Sequence, residues 1–178
     1  MREQDERREF LTRTPFFGGL EGVALELLIG MLVERQYARD AAVFLEGEEG
    51  RSMYIVRSGE LVKTQRGESG FPVKLMRFRP GDFFGETTLI EMQPRQFSVI
   101  AESAVSLYEL TNMGLYQLYQ KNVQAYVMVL QNINRELCRR LRKAEERITA
   151  YADEHGEEAT QIHTGVGKIR RGKPRGDF

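Results

Sequence analysis

Between Phe83 and Ala101 the chain reads FFGETTLIEMQPRQFSVIA, and a few of its residues could do chemistry together. A Gly-Glu pair, Gly85-Glu86, stands at a turn, and a Pro-Arg pair, Pro94-Arg95, follows inside apolar sequence. Glycine permits close approach of backbone to a ligand, and a guanidinium is suited to holding an anion. The first half of the stretch has the look of a site for an anionic sugar. The plainer alternative is that Glu86 and Arg95 form a structural ion pair. Bulky Phe97 follows closely on the arginine and, by strand alternation, faces the same side.

The rest of the composition narrows the chemistry. The two histidines, His155 and His163, both lie near the C-terminus, so no histidine-built metal or acid-base site is expected in the globular part. One cysteine, Cys138, excludes an internal disulfide framework and fits a reducing cytosol. No apolar run approaches the roughly 20 residues of a membrane span. The opening MREQDERREF is charged throughout, unlike a signal peptide. A cytoplasmic, soluble protein that is not an enzyme is expected. Basic and acidic residues balance at 26 each in 178 residues, which argues against the whole chain as a polyanion binder. At 41% apolar and 29% charged residues, the chain suits one domain with appendages.

Stepping along the chain, residues 3–12 are charged and helix-permissive and stop at the Pro/Gly break TRTPFFGGL. Leu20, Val23, Leu27, Leu28, Met31 and Leu32 recur at helical spacing, which predicts an amphipathic helix ending near Gln36. The following residues form short β-rich runs punctuated by glycine, the pattern of an all-β barrel, roll or sandwich. MYIVRSGELVKT reads as a hairpin turning at Ser58-Gly59, RGESG as a looser turn, and QFSVIAE with AVSLYELT as a last pair of about eight strands. From Met113 the period is helical again. The expected organisation is N-terminal helices at 1–36, a roll at 37–112, C-terminal helices at 113–152 and a disordered basic tail at 153–178.

Taken in order, VFLEGEEGRSMYIVRSGELVKT, RPGDFFGETTLI and PRQFSVIA, set between a first helix and a long last one, resemble the cyclic nucleotide-binding domain family. The resemblance covers about residues 14 to 150 and implies an α+β fold. Its core would be an eight-stranded antiparallel β-roll of jelly-roll type, with N-terminal helices and a long C-terminal dimerisation helix. It also implies a ligand, a cyclic nucleotide such as cAMP or cGMP, and no cofactor or metal. The cyclic phosphate keeps its charge and needs a fixed cation with several N–H donors. Arg95 matches the family's phosphate arginine, and the backbone amides at Thr87 and Thr88 match those that meet the phosphate oxygens. Glu86 matches the carboxylate that takes the ribose 2′-hydroxyl, and Gly85 permits the close approach.

The chain departs from the family at three places. Gln96 and Phe97 follow the arginine where small residues are typical, and Thr87-Thr88 replace an aliphatic and a small residue. The Thr88 hydroxyl could add a bond to the ligand. Phe97 either packs beneath the base or fills the ligand's space, and overpacking a tight site costs about 1–3 kcal/mol. Asp40 stands where many members have a turn glycine, a position aspartate tolerates.

The last helix, expected from about Val123 to Tyr151, carries a heptad seam at Val127, Leu130, Asn134, Leu137, Leu141, Ala144 and Ile148. Such a seam predicts a coiled-coil homodimer, with polar Asn134 favouring a two-stranded pair in register. The alternative is a helix that only covers its own roll. With Val127, Asn134, Leu141 and Ile148 at the a positions, Arg140 can reach Glu145 of the other chain, and Cys138 becomes a thiol near the dimer axis. In relatives this helix also caps the base, and Arg140 and Leu141 fall near that lid position. A ligand that binds one helix position more tightly than the other would then shift the balance between them.

Too little chain follows Ala152 for the helix-turn-helix domain of the family's transcriptional members. The chain is therefore expected to be a regulatory module that signals to a partner protein of unknown identity. Lys168, Arg170, Arg171, Lys173 and Arg175 in the tail could contact nucleic acid through salt-sensitive attraction. TGVGK is not a phosphate loop, because it lacks the spacing and the following helix. Two alternatives stay open beside the sensor: a degenerate domain serving as a ligand-independent dimeric scaffold, and a nucleic-acid-associated regulator using its tail.

Overall fold

The computed structural model describes residues 2–68 and 70–155. The charged N-terminal run forms helix α1 (Arg2–Thr12), and the Pro/Gly break forms a short 3-10 turn at Pro15–Phe17. Helix α2 (Gly22–Gly30) is shorter than its apolar spacing suggests. Residues Val33–Tyr37 are instead strand β1, which pairs antiparallel with β8 (Val105–Thr111). Arg35 forms an ion pair with Glu109 across that pairing, and Glu34 reaches past it to Arg57. Contacts this distant in sequence outweigh a local helical period that persists by two residues into Met31 and Leu32.

Among the described residues eight strands, β1 included, form two antiparallel four-stranded sheets. One has the order β1-β8-β3-β6 and the other β2-β7-β4-β5, where β2 is Ala42–Phe44, β3 Ser52–Ser58, β4 Leu61–Arg66, β5 Pro72–Phe78, β6 Phe83–Phe84 and β7 Ser98–Ala101. The expected roll is therefore present. Two of the expected pairings are not, because β3 and β4 lie in different sheets, as do β7 and β8. Strand β3 has both edges occupied, by β8 and β6, so β4 must cross to the opposite sheet. The crossing is held by bonds to the β7–β8 loop: Glu60 N–H donates to Ser103 Oγ at 3.0 Å, and Glu102 N–H to the Glu60 carbonyl at 2.8 Å. The RGESG turn does join a paired hairpin, β4 with β5. Asp40 adopts a left-handed φ of 66° in the turn where the family typically has glycine.

Between the sheets lies a core that includes Phe44, Tyr54, Leu61, Phe78, Phe84, Phe97, Val99 and Leu107. A five-residue helix, α3 (Thr87–Glu91), leaves the sheet after β6, and α4 (Asn112–Lys121) follows β8. The last helix, α5, runs Val123–His155. Among the described residues no helix is long and apolar enough to cross a membrane.

The chain divides into two units, with the boundary after Glu136. Within the first, α5 buries Ala125, Val129, Asn132 and Ile133. Asn132 donates from Nδ2 to the carbonyls of Phe16 (3.0 Å) and Gly18 (2.8 Å), fastening the helix to the 3-10 turn. The heptad seam lies on another face. Val127 is 44% exposed, Leu141 60% and Ile148 62%, and Asn134 and Ala144 are also exposed. Leu130 and Leu137 are partly covered. Cys138 is exposed in the single chain. The basic tail residues from Lys168 to Arg175 and His163 lie outside the described residues.

Candidate functional site

The roll brings Gly85, Glu86, Thr88 and Arg95 together in the first unit. Gly85, between β6 and α3, has a φ of 81°. A Cβ there would lie 2.7 Å from Arg95 Nη1, so this position requires glycine for both conformation and space. Glu86 opens α3 and is buried. Thr87 is half-buried in the first turn of α3, and Thr88 behind it is buried.

Arg95 is only 5% exposed. Its backbone is fixed to the β2–β3 loop, with Gly47 N–H donating to the Arg95 carbonyl and Arg95 N–H to the Glu48 carbonyl, each at 2.8 Å. From Nη1 the side chain donates to Thr88 Oγ1 at 2.8 Å and to the Gly85 carbonyl at 3.1 Å. From Nη2 it donates to the Ser52 carbonyl at 2.7 Å. Nε is buried and has no hydrogen-bond partner among the described residues. Burial pulls the guanidinium's pKa below its ordinary value, while Tyr54, Glu48 and Glu86 favour the charged form. A buried cation with three carbonyl or hydroxyl acceptors and an unbonded Nε–H is a place where an anion gains more than it would in water.

Phe97 and Arg95 face the interior, with exposed Gln96 between them. Phe97 is 9% exposed and belongs to the core. Its ring centroid lies 5.7 Å from that of Phe44, and Lys63 Nζ sits 3.8 Å from the Phe97 centroid. Strand β4, which supplies Lys63, pairs with β7, which begins just after Phe97, and nothing local in the sequence marks that contact. Ser52, Phe44 and Lys63 are the parts of the cluster that sequence reasoning did not name. A cavity of about 460 Å³ opens nearby, lined by Leu45, Glu46, Thr64, Arg66, Pro72 and Ser98 among others, and Arg95 does not line it. Arg140 and Leu141 lie on the part of α5 that belongs to the second unit.

Comparison with known proteins follows the same residues. The family model for the cyclic nucleotide-binding domain matches residues 34–122. A cAMP-dependent protein kinase regulatory subunit of Yarrowia lipolytica is 34% identical over 109 residues, which is 61% of this chain and 28% of that subunit. The chain therefore spans well under half the length of that relative. A CRP-like cAMP-activated global transcriptional regulator of Mycobacterium tuberculosis is 28% identical over 156 residues, 86% of this chain and 68% of the regulator. The crystal structure of a cyclic nucleotide-binding domain from Methylobacillus flagellatus matches with a TM-score of 0.75 over 84% of both chains at 21% identity, a likeness of fold.

Proposed function

The chain belongs to the cyclic nucleotide-binding domain family, and from that premise we propose that it is a cytoplasmic sensor of cAMP or cGMP that signals through paired α5 helices to a partner protein. It acts as a regulatory, non-enzymatic domain. The observation that carries this reading is the buried Arg95 guanidinium, positioned beside Gly85 and Thr88 with an unused Nε donor. In this reading Arg95 takes the cyclic phosphate, Glu86 the ribose 2′-hydroxyl and the backbone at Thr87 and Thr88 the remaining phosphate oxygens. Gln96, exposed beside them, meets the ligand's edge. The exposed apolar stripe through Val127, Leu141 and Ile148 supplies the dimer seam.

A second reading, a ligand-independent dimeric scaffold, is favoured by Phe97. Its ring is packed against Phe44 and covered by Lys63, so it fills volume inside the roll. Isothermal titration with cAMP and cGMP separates the two. Micromolar binding that disappears in Arg95→Lys supports the sensor. No heat from a folded dimer with either nucleotide supports the scaffold.

A further inference from the structure

Thr88 stands where the family resemblance leads one to expect a small residue, and its hydroxyl is already engaged. Oγ1 accepts from Arg95 Nη1 at 2.8 Å and donates to the Gly85 carbonyl at 2.8 Å. The side chain is buried. It is also confined: a Cβ at Gly50 would lie 2.7 Å from Cβ, Cγ2 and Oγ1 of Thr88. The backbone of the β2–β3 loop thus rests directly on the threonine, and the same loop is bonded through Gly47 and Glu48 to the Arg95 backbone. Rotating the Thr88 hydroxyl away from Arg95 requires that loop to yield.

We infer that Thr88 is an internal competitor for the anion site, its hydroxyl oxygen standing at Arg95 where a phosphate oxygen of the nucleotide would stand. The inference rests on the sensor reading and deepens it. Both Nη1 hydrogens are taken, one by the Gly85 carbonyl and one by the Thr88 hydroxyl, so a nucleotide that engages Nη1 displaces a bonded acceptor. The side-chain hydroxyl yields more readily than the backbone carbonyl, and part of the binding energy goes into that exchange. A neutral hydroxyl is a weaker acceptor for a guanidinium than an anionic phosphate oxygen, so the exchange is favourable but reduced. Thr88 thereby sets the affinity at the phosphate end, and it does so equally for adenine and guanine because it does not touch the base.

The test is a titration of the full chain with cAMP and cGMP in four forms: wild type, Thr88→Val, Thr88→Ser and Arg95→Lys. Valine keeps the branched shape and removes the hydroxyl, and serine keeps the hydroxyl. Thr88→Val is expected to bind both nucleotides about tenfold tighter or more, as befits loss of one hydrogen bond to a charged group. Thr88→Ser should stay within about threefold of wild type. Unchanged or weaker binding in Thr88→Val, or a gain for one nucleotide alone, overturns the inference while wild-type binding leaves the sensor reading standing. Absence of binding in every form, with thermal melting showing each folded, overturns the sensor reading and the inference with it.

Discussion

The guanidinium carbon of Arg95 lies 4.0 Å from the centroid of the Phe44 ring. The Lys63 ammonium lies 3.8 Å from the centroid of the neighbouring ring, Phe97. Each ring of this buried aromatic pair thus carries a cation, and the candidate anion site borders the roll's core. Phe44→Leu is expected to lower stability by about 1–3 kcal/mol, through lost ring packing and lost cation–π attraction. Urea denaturation of the two proteins checks it, and equal midpoints with equal slopes would count against a structural role for the pair.

Gly85→Ala places a methyl group against Arg95 Nη1 and imposes a side chain on a φ of 81°. A stability loss of about 1–2 kcal/mol is expected from the backbone alone. Displacement of the guanidinium should also weaken nucleotide binding. Thermal melting and calorimetry on the same sample read the two effects separately.

In the sensor reading Glu86 recognises the ribose hydroxyl. Wild type should then prefer cAMP to its 2′-deoxy analogue, by the worth of a charge-assisted hydrogen bond, about tenfold. In Glu86→Ala the two ligands should bind alike. A preference that survives the substitution would move the ribose contact elsewhere.

Glu34 links β1 to the neighbouring strands, accepting at Oε1 from Ser106 Oγ (2.6 Å) and Arg57 Nη1 (2.7 Å). The Ser106 bond and Arg57 hold its carboxyl below the ordinary 4.5, against burial, which raises it. A depressed folded pKa means the contribution is present above about 4.5 and lost as pH falls through the lower folded value. Wild-type stability should therefore drop more between about pH 6 and about pH 3 than that of Glu34→Gln. Chemical denaturation at the two pH values measures the difference; identical drops would remove Glu34 from the acid response.

The seam on α5 predicts a dimer that charges can break. Leu137→Glu combined with Leu141→Glu should give a monomer by sedimentation equilibrium while the roll keeps its melting transition, because the face bearing Ala125, Val129 and Ile133 is untouched. A wild-type chain that sediments as a monomer at tens of micromolar would remove the seam from the mechanism.

Much of the fold was legible because its signals are local. Glycine spacing marked the roll, and the spacing of Arg95 and Phe97 put both on one side. What stayed hidden depends on contacts across the chain. Ser58-Gly59 announces a turn, but only the two occupied edges of β3 dictate that β4 crosses to the other sheet. Strand β1 was masked by an apolar period that runs on past α2. The Arg95 acceptors come from Ser52, Gly85 and Thr88, and no spacing rule links residue 52 to residue 95. On α5 the heptad drew attention to Asn134, whereas the asparagine the structure buries is Asn132, two positions away on another face. Helical periodicity ranks faces by apolarity and is blind to a side-chain amide that meets backbone carbonyls more than a hundred positions distant.

The bonds from Arg95 to carbonyls of Ser52 and Gly85, and the backbone bonds around it, tie three separate segments into one node. A residue that fastens the architecture is retained by selection on folding, whether or not any ligand arrives. A lineage that abandoned its nucleotide would still carry the arginine, and a search of genomes for the motif would count it among sensors. The residue's presence dates the fold; only the freedom of its guanidinium to change partners tells whether the domain still listens.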